Sequence, residues 1–181
     1  NRIAKRFDAY TIGSVGSSNK IDLLKKEGYD DVIIRGKDFS ERLKQSLDGR
    51  NLDIVLECIG GKIFSESFKQ MSAGGRIIAY GAAQFSTGGS YPNYFKVLTK
   101  YLTRPKVDPL SLSDKNKSVM GFNLIYLWDK VELMKKYLSN ILEMNLPKPL
   151  IGEVYEFKDL LSAIKKFQTG QTVGKVVVRI P

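Results

Sequence analysis

Five consecutive residues suited to holding a phosphate follow an apolar segment near the start of the chain: Gly16, Ser17, Ser18, Asn19 and Lys20. They supply backbone donors, hydroxyls, an amide and one cation. The nearest carboxylate, Asp22, comes only after them. An acidic residue at the end of the second strand of a dinucleotide-binding fold would accept a hydrogen bond from a free ribose 2′-hydroxyl, and it would repel a 2′-phosphate. Its absence, together with the helix start predicted after the turn, favours NADP(H) over NAD(H).

A simpler interpretation of this turn is that Ser18 or Asn19 caps the following helix, as serine and asparagine often do. A cap accounts for one polar residue. The whole turn is rich in donors and free of acid, so its composition favours phosphate binding, and capping stays open as the alternative.

The elements around the turn alternate as in a parallel α/β fold. Short apolar segments predict strands at 10–15, 31–34, 52–57 and 76–80, and amphipathic segments predict helices at 2–7, 18–27, 38–47 and 62–71. Gly28, Gly49 and Gly74 follow three of these helices, where a left-handed residue commonly ends a helix. This alternation is typical of βαβ units around a parallel sheet.

The second half of the chain is less regular. We predict a Gly/Ser-rich loop at 82–93, a helix at 94–102, an extended segment interrupted by prolines at 104–112, a strand at 118–124, a helix at 127–144, a strand at 150–157, a helix at 158–169 and a strand at 175–180. The longest apolar runs are far shorter than the roughly 20 residues that span a bilayer, so no transmembrane segment is predicted.

Composition limits the classes of function. With one cysteine and no histidine, the chain lacks the ligands of an ordinary zinc site, a Ser-His-Asp nucleophile system and an internal disulfide, and a cytoplasmic location is expected. The net charge of +10 could attract nucleic acid. However, the lysine pairs lie near acidic residues and are not interleaved with aromatic ones, so we interpret them as a solvated surface and expect no nucleic-acid partner.

Further candidate site residues lie where other predicted strands end, because ligands of open parallel sheets bind at the carboxyl ends of the strands. Cys58 and Ile59 follow one strand, and Tyr80 and Gly81 end the next. Cys58 is equally well interpreted as a buried, inert thiol. Phe122, in the predicted strand at 118–124, fits either beside a nicotinamide or in an edge strand. None of these residues is predicted to be catalytic.

Five segments, read in order, resemble the zinc-independent quinone oxidoreductase branch of the medium-chain dehydrogenase/reductase superfamily: GSVGSSNK, DIVLECIGG, SAGGRIIAYGAA, SVMGFNL and TVGKVVV. Within that branch the chain looks most like the vesicle amine transport protein subgroup, where a segment similar to Val107-Asp108-Pro109 precedes a strand similar to that containing Gly121-Phe122. The resemblance covers essentially the whole chain. It implies an α/β fold with a Rossmann-type, doubly wound parallel sheet.

The resemblance also implies positions for the parts of an NADP(H) cofactor. Gly16, Ser17 and Lys20 would hold the 2′-phosphate, with Ser18 in the same turn; Arg35 would lie over the adenine; Cys58 and Ile59 would border the adenosine and its ribose; Tyr80 and Gly81 would face the pyrophosphate and nicotinamide; and Phe122 would face the nicotinamide.

In the family, a first strand with a glycine-rich turn and a barrel-like catalytic domain would precede Asn1. The resemblance therefore implies that 1–149 is an N-terminally truncated NADP-binding domain and that 150–181 belongs to the catalytic domain. Relatives usually dimerise through edge strands, so a homodimer is expected, with 106–112 as the candidate edge. The two prolines there could equally prevent such pairing.

The function expected from this resemblance is NADPH-dependent hydride transfer to a small-molecule quinone, enone or related carbonyl compound, for which this chain alone would be inactive. The alternative is a nucleotide-binding protein without significant turnover, acting as a membrane-associated or scaffold relative. Nucleic-acid binding through the positive charge is a third hypothesis, which predicts strongly salt-dependent binding.

Overall fold

The structure is a computed structural model that describes residues 1–85 and 93–181. Its strands are β1 (Ile12–Val15), β2 (Asp31–Ile34), β3 (Ile54–Glu57), β4 (Arg76–Ala79), β5 (Ser118–Gly121), β6 (Ile151–Glu156) and β7 (Lys175–Arg179). Its helices are α1 (Arg2–Lys5), α2 (Ile21–Lys26), α3 (Phe39–Leu47), α4 (Gly61–Gln70), α5 (Tyr94–Leu102), α6 (Pro109–Lys115), α7 (Val131–Glu143) and α8 (Leu160–Gln168). Most of the predicted loop at 82–93 lies outside the described residues.

The strands of the described residues form three parallel sheets. β1 pairs with β2, β4 lies between β3 and β5, and β6 pairs with β7. Within the described residues, the first two sheets are not hydrogen-bonded to each other. Ile54 and Leu56, which lie on the same face of β3, are exposed. The predicted α/β fold with parallel strands is confirmed.

The best-packed core lies between β2 and α3. Phe39, Leu43 and Leu47 recur every four residues, so they lie on one face of α3. That face packs on Ile33 of β2, and all four side chains are buried. In the next sheet, Ile77 of β4 is fully buried. Burial of the α3 side chains against Ile33 fixes β2 against that helix.

The extended segment predicted at 104–112 is wrong beyond Asp108, because α6 begins at Pro109. The Asp108 carboxylate accepts a hydrogen bond from the backbone N of Leu110 at 3.1 Å, and Pro109 occupies the first turn of the helix. An N-cap aspartate followed by proline is a helix start, since proline needs no hydrogen-bond acceptor there. The predicted edge strand at 106–112 is therefore also wrong, and β5 is the outer strand of its sheet.

The strand predicted at 118–124 ends earlier, at Gly121. A single 3-10 turn, Leu124–Leu127, follows it. The side chain of Asn123 accepts a hydrogen bond from the backbone N of Ile125 at 3.1 Å and so caps this turn. Phe122 consequently lies at the carboxyl end of β5, between the strand and the cap.

Asp30 fastens the beginnings of β1 and β2 to α1. Its Oδ2 atom accepts hydrogen bonds from the backbone N of Thr11 at 2.6 Å and from Thr11 Oγ1 at 3.0 Å, and it pairs with the Lys5 ammonium. The hydrogen bond from Lys5, followed by that from the Thr11 backbone, lowers the pKa of Asp30 to about 2.

Asp30→Asn is expected to lower the free energy of unfolding at pH 7 by about 1 kcal/mol, a value reduced because solvent screens this partly exposed pair. Since the folded-state pKa lies below the ordinary value of 3.8, the stabilisation is present above about pH 4 and is lost as the pH falls toward about 2. Urea unfolding across this range measures it. The exposed carboxylate of Asp129 provides the control, Asp129→Asn, and a loss from Asp30→Asn that stayed constant down to about pH 2 would contradict the assignment.

Candidate cofactor site

Arg35 lies across the carboxyl end of β1. Its backbone N continues the pairing of β2 with β1 by donating to the Val15 carbonyl at 2.7 Å. The side chain then reaches back, and Nη1 donates to the Ser14 carbonyl at 2.6 Å and to Ser14 Oγ at 3.3 Å. The guanidinium is thereby held by a neighbouring strand, beside the turn that begins at Gly16.

Gly16 leaves the space that the Arg35 side chain uses. A Cβ atom on Gly16 would lie 3.2 Å from Arg35 Nη2, which is tighter than an ordinary contact. The φ angle of Gly16 is not positive, so its backbone conformation does not require glycine. A side chain at position 16 would require the guanidinium to shift by a few tenths of an ångström.

The turn after Gly16 is a 3-10 turn, Ser18–Lys20, and α2 begins only at Ile21. The helical segment thus begins at residue 18, as predicted, but its first turn is a 3-10 turn. Neither the 3-10 turn nor α2 has a side-chain hydrogen bond at its N-cap, so the capping alternative is not observed; Ser17 Oγ instead donates to Asn19 Oδ1 at 2.5 Å. Since α2 has only six residues, we expect any attraction for an anion to come from the donors and cations of the turn.

Lys20 connects this turn to the distant end of the chain. Its Nζ atom donates to the backbone carbonyl of Gly170, between α8 and β7, at 3.0 Å. An ammonium carries three donors, so this bond leaves Lys20 able to make others. The contact means that Lys20 has a structural role as well as a charge.

The other predicted site residues lie at the carboxyl ends of β3, β4 and β5. Because these strands are parallel and adjacent, Cys58, Tyr80 and Phe122 lie along one edge of their sheet. The backbone N of Tyr80 donates to the Glu57 carbonyl at 2.9 Å, and that of Phe122 donates to the Ala79 carbonyl at 3.0 Å. The Tyr80 and Phe122 side chains are about half exposed, which leaves their rings accessible to a ligand.

Gly81 allows the loop after β4 to pack on the loop after β3. A Cβ atom on Gly81 would lie 3.1 Å from Cys58 Cβ and 3.2 Å from its carbonyl oxygen. The backbone N of Ala83 donates to that carbonyl at 2.8 Å, and the backbone N of Gln84 donates to the Ile59 carbonyl at 2.8 Å. Packing on Cys58 thus explains the absence of a side chain at position 81.

A hydrogen bond with Cys58, followed by burial, raises the pKa of Tyr80 to about 12. Its phenol is therefore protonated at neutral pH. In that state Tyr80 can donate a hydrogen bond to a ligand, but it cannot take up a proton as a general base.

Glu57 is a residue of this edge that the sequence patterns did not single out. Its side chain is buried; Oε1 accepts from the backbone N of Ile59 at 2.8 Å and of Gly60 at 2.9 Å, and Oε2 accepts from Gly60 at 3.0 Å. The carboxylate so fixes the turn from β3 into α4, where Gly60 and Gly61 both have positive φ angles. The available signal was a charged residue at the end of an otherwise apolar strand.

Among the cavities beside the described residues, two bear on where a ligand could lie. The larger, about 610 Å³, lies between β2 and α3 and contains none of the predicted site residues. The smaller, about 170 Å³, opens beside the turn that Glu57 fixes, and Gly81 is part of its lining. The second cavity is the one continuous with the predicted site.

Across residues 1–85 and 93–181, no three His, Cys, Asp or Glu side chains lie close enough together to hold a metal ion. Among the helices described there, none has both the length and the apolar character needed to cross a membrane.

Curated relatives align with nearly the whole of this chain, but the alignment covers only part of each relative's length. The synaptic vesicle membrane protein VAT-1 homologs of Danio rerio and Homo sapiens are each 26% identical over 98% of this chain, which spans 37% and 46% of their lengths. The (+)-pulegone reductase of Mentha piperita is 30% identical over 99% of this chain, and the alignment covers 49% of the reductase's own length. The chain thus spans less than half the length of these relatives.

Solved structures share the fold. The quinone oxidoreductase of Thermus thermophilus, solved also in complex with NADPH, has a TM-score of 0.74 at 25% identity, covering 99% of this chain and 52% of its own. A mycobacterial protein solved in complex with NADPH has a TM-score of 0.71 at 22% identity, over 99% of this chain and 51% of its own.

A family model described as zinc-binding dehydrogenase matches residues 1–139, well over half of the chain. Together with the structural neighbours, this match confirms the resemblance to the medium-chain dehydrogenase/reductase superfamily. The chain belongs to the zinc-binding dehydrogenase family of that superfamily.

Proposed function

We propose that the protein containing this chain is an NADPH-dependent oxidoreductase that transfers a hydride to a quinone, an enone or a related carbonyl compound. The observation that carries the proposal is the acid-free turn Gly16–Lys20 with the Arg35 guanidinium beside it. Relatives named quinone oxidoreductase and pulegone reductase, and neighbours solved with NADPH, support it. The nicotinamide supplies the hydride, and the protein orients it and excludes water.

The cofactor is proposed to extend along the carboxyl ends of the strands. Its adenosine phosphate end binds beside β1 and β2, at Gly16, Ser17, Ser18, Lys20 and Arg35. Its remaining parts bind beside β3, β4 and β5, at Cys58, Ile59, Tyr80, Gly81 and Phe122. The rings of Tyr80 and Phe122 are exposed enough to contact it, and no residue of this chain is assigned to catalysis.

The rest of the proposal concerns the setting of this site. Residues 1–149 form the NADP-binding domain and 150–181 part of the catalytic domain, which agrees with the separate β6–β7 sheet. We also propose that the reaction uses no zinc, as the resemblance to the zinc-independent quinone oxidoreductase branch implies. The protein acts in the cytoplasm as a homodimer, with β5 rather than 106–112 as the candidate edge.

Absorbance at 340 nm, followed for the whole protein with NADPH and a panel of quinones, enones and carbonyl compounds, tests the activity. Oxidation of NADPH that requires a panel member is the expected result. Replacing NADPH by NADH should lower kcat/KM about tenfold or more, the loss expected when a 2′-phosphate contact is missing.

A second candidate is a nucleotide-binding protein without significant turnover that acts at a membrane or as a scaffold. The similarity to synaptic vesicle membrane protein VAT-1 homologs favours it. It predicts that NADPH binds but is not oxidised with any member of the panel, and this result would replace the oxidoreductase proposal.

A further inference from the structure

Helix α5 exposes its apolar face. Five apolar side chains of this nine-residue helix are more than half exposed: Tyr94, Phe95, Leu98, Tyr101 and Leu102. At 3.6 residues a turn, all five fall within one half of the helix circumference. A surface helix of a soluble protein normally turns such a face toward the core. Among the described residues, this face has no core to cover it.

The other side of α5 holds the helix in place. The Lys100 ammonium donates to the backbone carbonyl of Gln84, and Val97 is half-buried. At the start of the helix, the Asn93 side chain accepts a hydrogen bond from the backbone N of Lys96 at 2.9 Å. Because α5 is capped and anchored in this way, its apolar face is directed away from the residues that hold it.

The chain around α5 carries only positive charge. No Asp or Glu occurs between Glu66 and Asp108. Four cations lie in or just after the helix: Lys96, Lys100, Arg104 and Lys106. None of the ion pairs between described residues includes any of the four. This concentration of unneutralised charge beside an apolar face favours an anionic partner.

Arg104 places one of these cations at the margin of the apolar face. Its Cζ atom lies 3.9 Å from the centroid of the Tyr101 ring, and its Nη1 atom donates to the Tyr101 carbonyl at 2.7 Å. A guanidinium has five donors, so others remain for the oxygens of an anion. An apolar face bordered by aromatic rings and cations is typical of helices that lie in a membrane interface.

Other helices also expose apolar residues, but they carry acids beside them. α7 exposes Leu138 and contains Glu132 and Glu143. α8 exposes Leu161 and directly follows Asp159. Carboxylates are repelled by a negatively charged surface, so neither helix combines the two properties that α5 has.

We propose that α5, with Arg104 and Lys106 after it, forms a surface that binds an anionic lipid membrane. The apolar face enters the boundary between headgroups and acyl chains, and the cations contact the headgroups. Leu98 and Leu102 favour lipid over nucleic acid, since aliphatic side chains offer bases no ring to stack on. This surface goes beyond the proposed hydride transfer and does not depend on it.

Co-sedimentation of the whole protein with lipid vesicles tests this surface. Vesicles of phosphatidylcholine with about 30% phosphatidylserine are compared with vesicles of phosphatidylcholine alone. We expect binding at least about tenfold tighter to the anionic vesicles, because each cation near the surface contributes to the attraction. Raising the NaCl concentration from about 0.05 M to about 0.5 M should weaken this binding, since salt screens the charges.

Two variants separate the apolar and the electrostatic contributions. Phe95→Ser should weaken binding to anionic vesicles about tenfold, because one buried aromatic ring is lost. Arg104→Gln should weaken it about fivefold at low salt. Each has a matched control that should change binding less than about twofold. Leu161→Ser removes an exposed leucine of α8, and Lys96→Gln removes a charge from the side of α5 opposite the apolar face.

Four results would overturn the inference. Equal binding to both kinds of vesicle would show that charge does not select the partner. Binding that survives both Phe95→Ser and Arg104→Gln would place the contact elsewhere. Binding of a single-stranded oligonucleotide that vesicles do not displace and that Arg104→Gln abolishes would make nucleic acid the partner.

The fourth result is the absence of binding to either kind of vesicle. A lower melting temperature in Phe95→Ser would then show that another part of the whole protein covers α5. Oxidation of NADPH is measured separately, without vesicles, so failure of the membrane surface and failure of the proposed function are distinguished.

Discussion

Gly152→Ala is expected to lower the free energy of unfolding by about 3 kcal/mol or more, the range of severe packing or backbone clashes. An alanine Cβ at this position would lie 1.7 Å from the Val173 carbonyl oxygen and 2.9 Å from the carbonyl carbon. Both are backbone atoms that cannot rotate away. β6 and β7 must therefore separate beside the irregular pairing at Ile151/Glu153.

Gly170→Ala is the matched control for Gly152→Ala. Gly170 has a φ of +67°, and no atom lies within 4 Å of its added Cβ. It therefore carries only the cost of a left-handed conformation, about 1 kcal/mol. Urea unfolding and proteolysis within 150–181 compare the two variants. If Gly152→Ala cost no more than Gly170→Ala, the close approach of β6 and β7 would be wrong.

Glu57→Ala is expected to destabilise the protein by about 2–3 kcal/mol and to abolish cofactor binding. The substitution leaves the backbone N–H groups of Ile59 and Gly60 without the carboxylate that accepts from them in a buried setting. The turn carrying Cys58 then loses its fixed shape. Thermal unfolding measures the first effect, and NADPH titration below the melting temperature measures the second.

Two variants control for the charge and the size of Glu57. Glu57→Gln keeps one acceptor oxygen and should retain about half of the stability that alanine loses. Glu132→Ala removes an exposed carboxylate paired with Lys135 on α7 and should cost less than about 0.5 kcal/mol. A Glu57→Ala protein as stable as Glu132→Ala would show that the buried carboxylate does not hold the turn.

The elements that sequence reasoning placed well have strong local signals. The bounds of β2 and α5 match the predicted 31–34 and 94–102, because apolar spacing and flanking polar residues decide them. α6 was missed because proline was interpreted as a breaker of regular structure, although after Asp108 it starts a helix. Such a start depends on which neighbour precedes the proline.

From the sequence, the site could be predicted only where the order and direction of the strands determine which residues lie together. Parallel strands bring their carboxyl ends to one edge, so the positions of Cys58, Tyr80 and Phe122 followed from the predicted strands. Contacts between distant residues did not follow, because they depend on how loops fold back. The return of Arg35 to Ser14 and the bond from Lys20 to Gly170 are of this kind.

The preference of this site for a 2′-phosphate is tested most directly by fluorescence titration of the whole protein with NADPH and NADH in the same buffer. The acid-free turn beside Arg35 predicts that NADPH binds about tenfold or more tightly, because one charge-assisted phosphate contact contributes at least about 1.4 kcal/mol. Equal affinity for the two cofactors, or tighter binding of NADH, would contradict it.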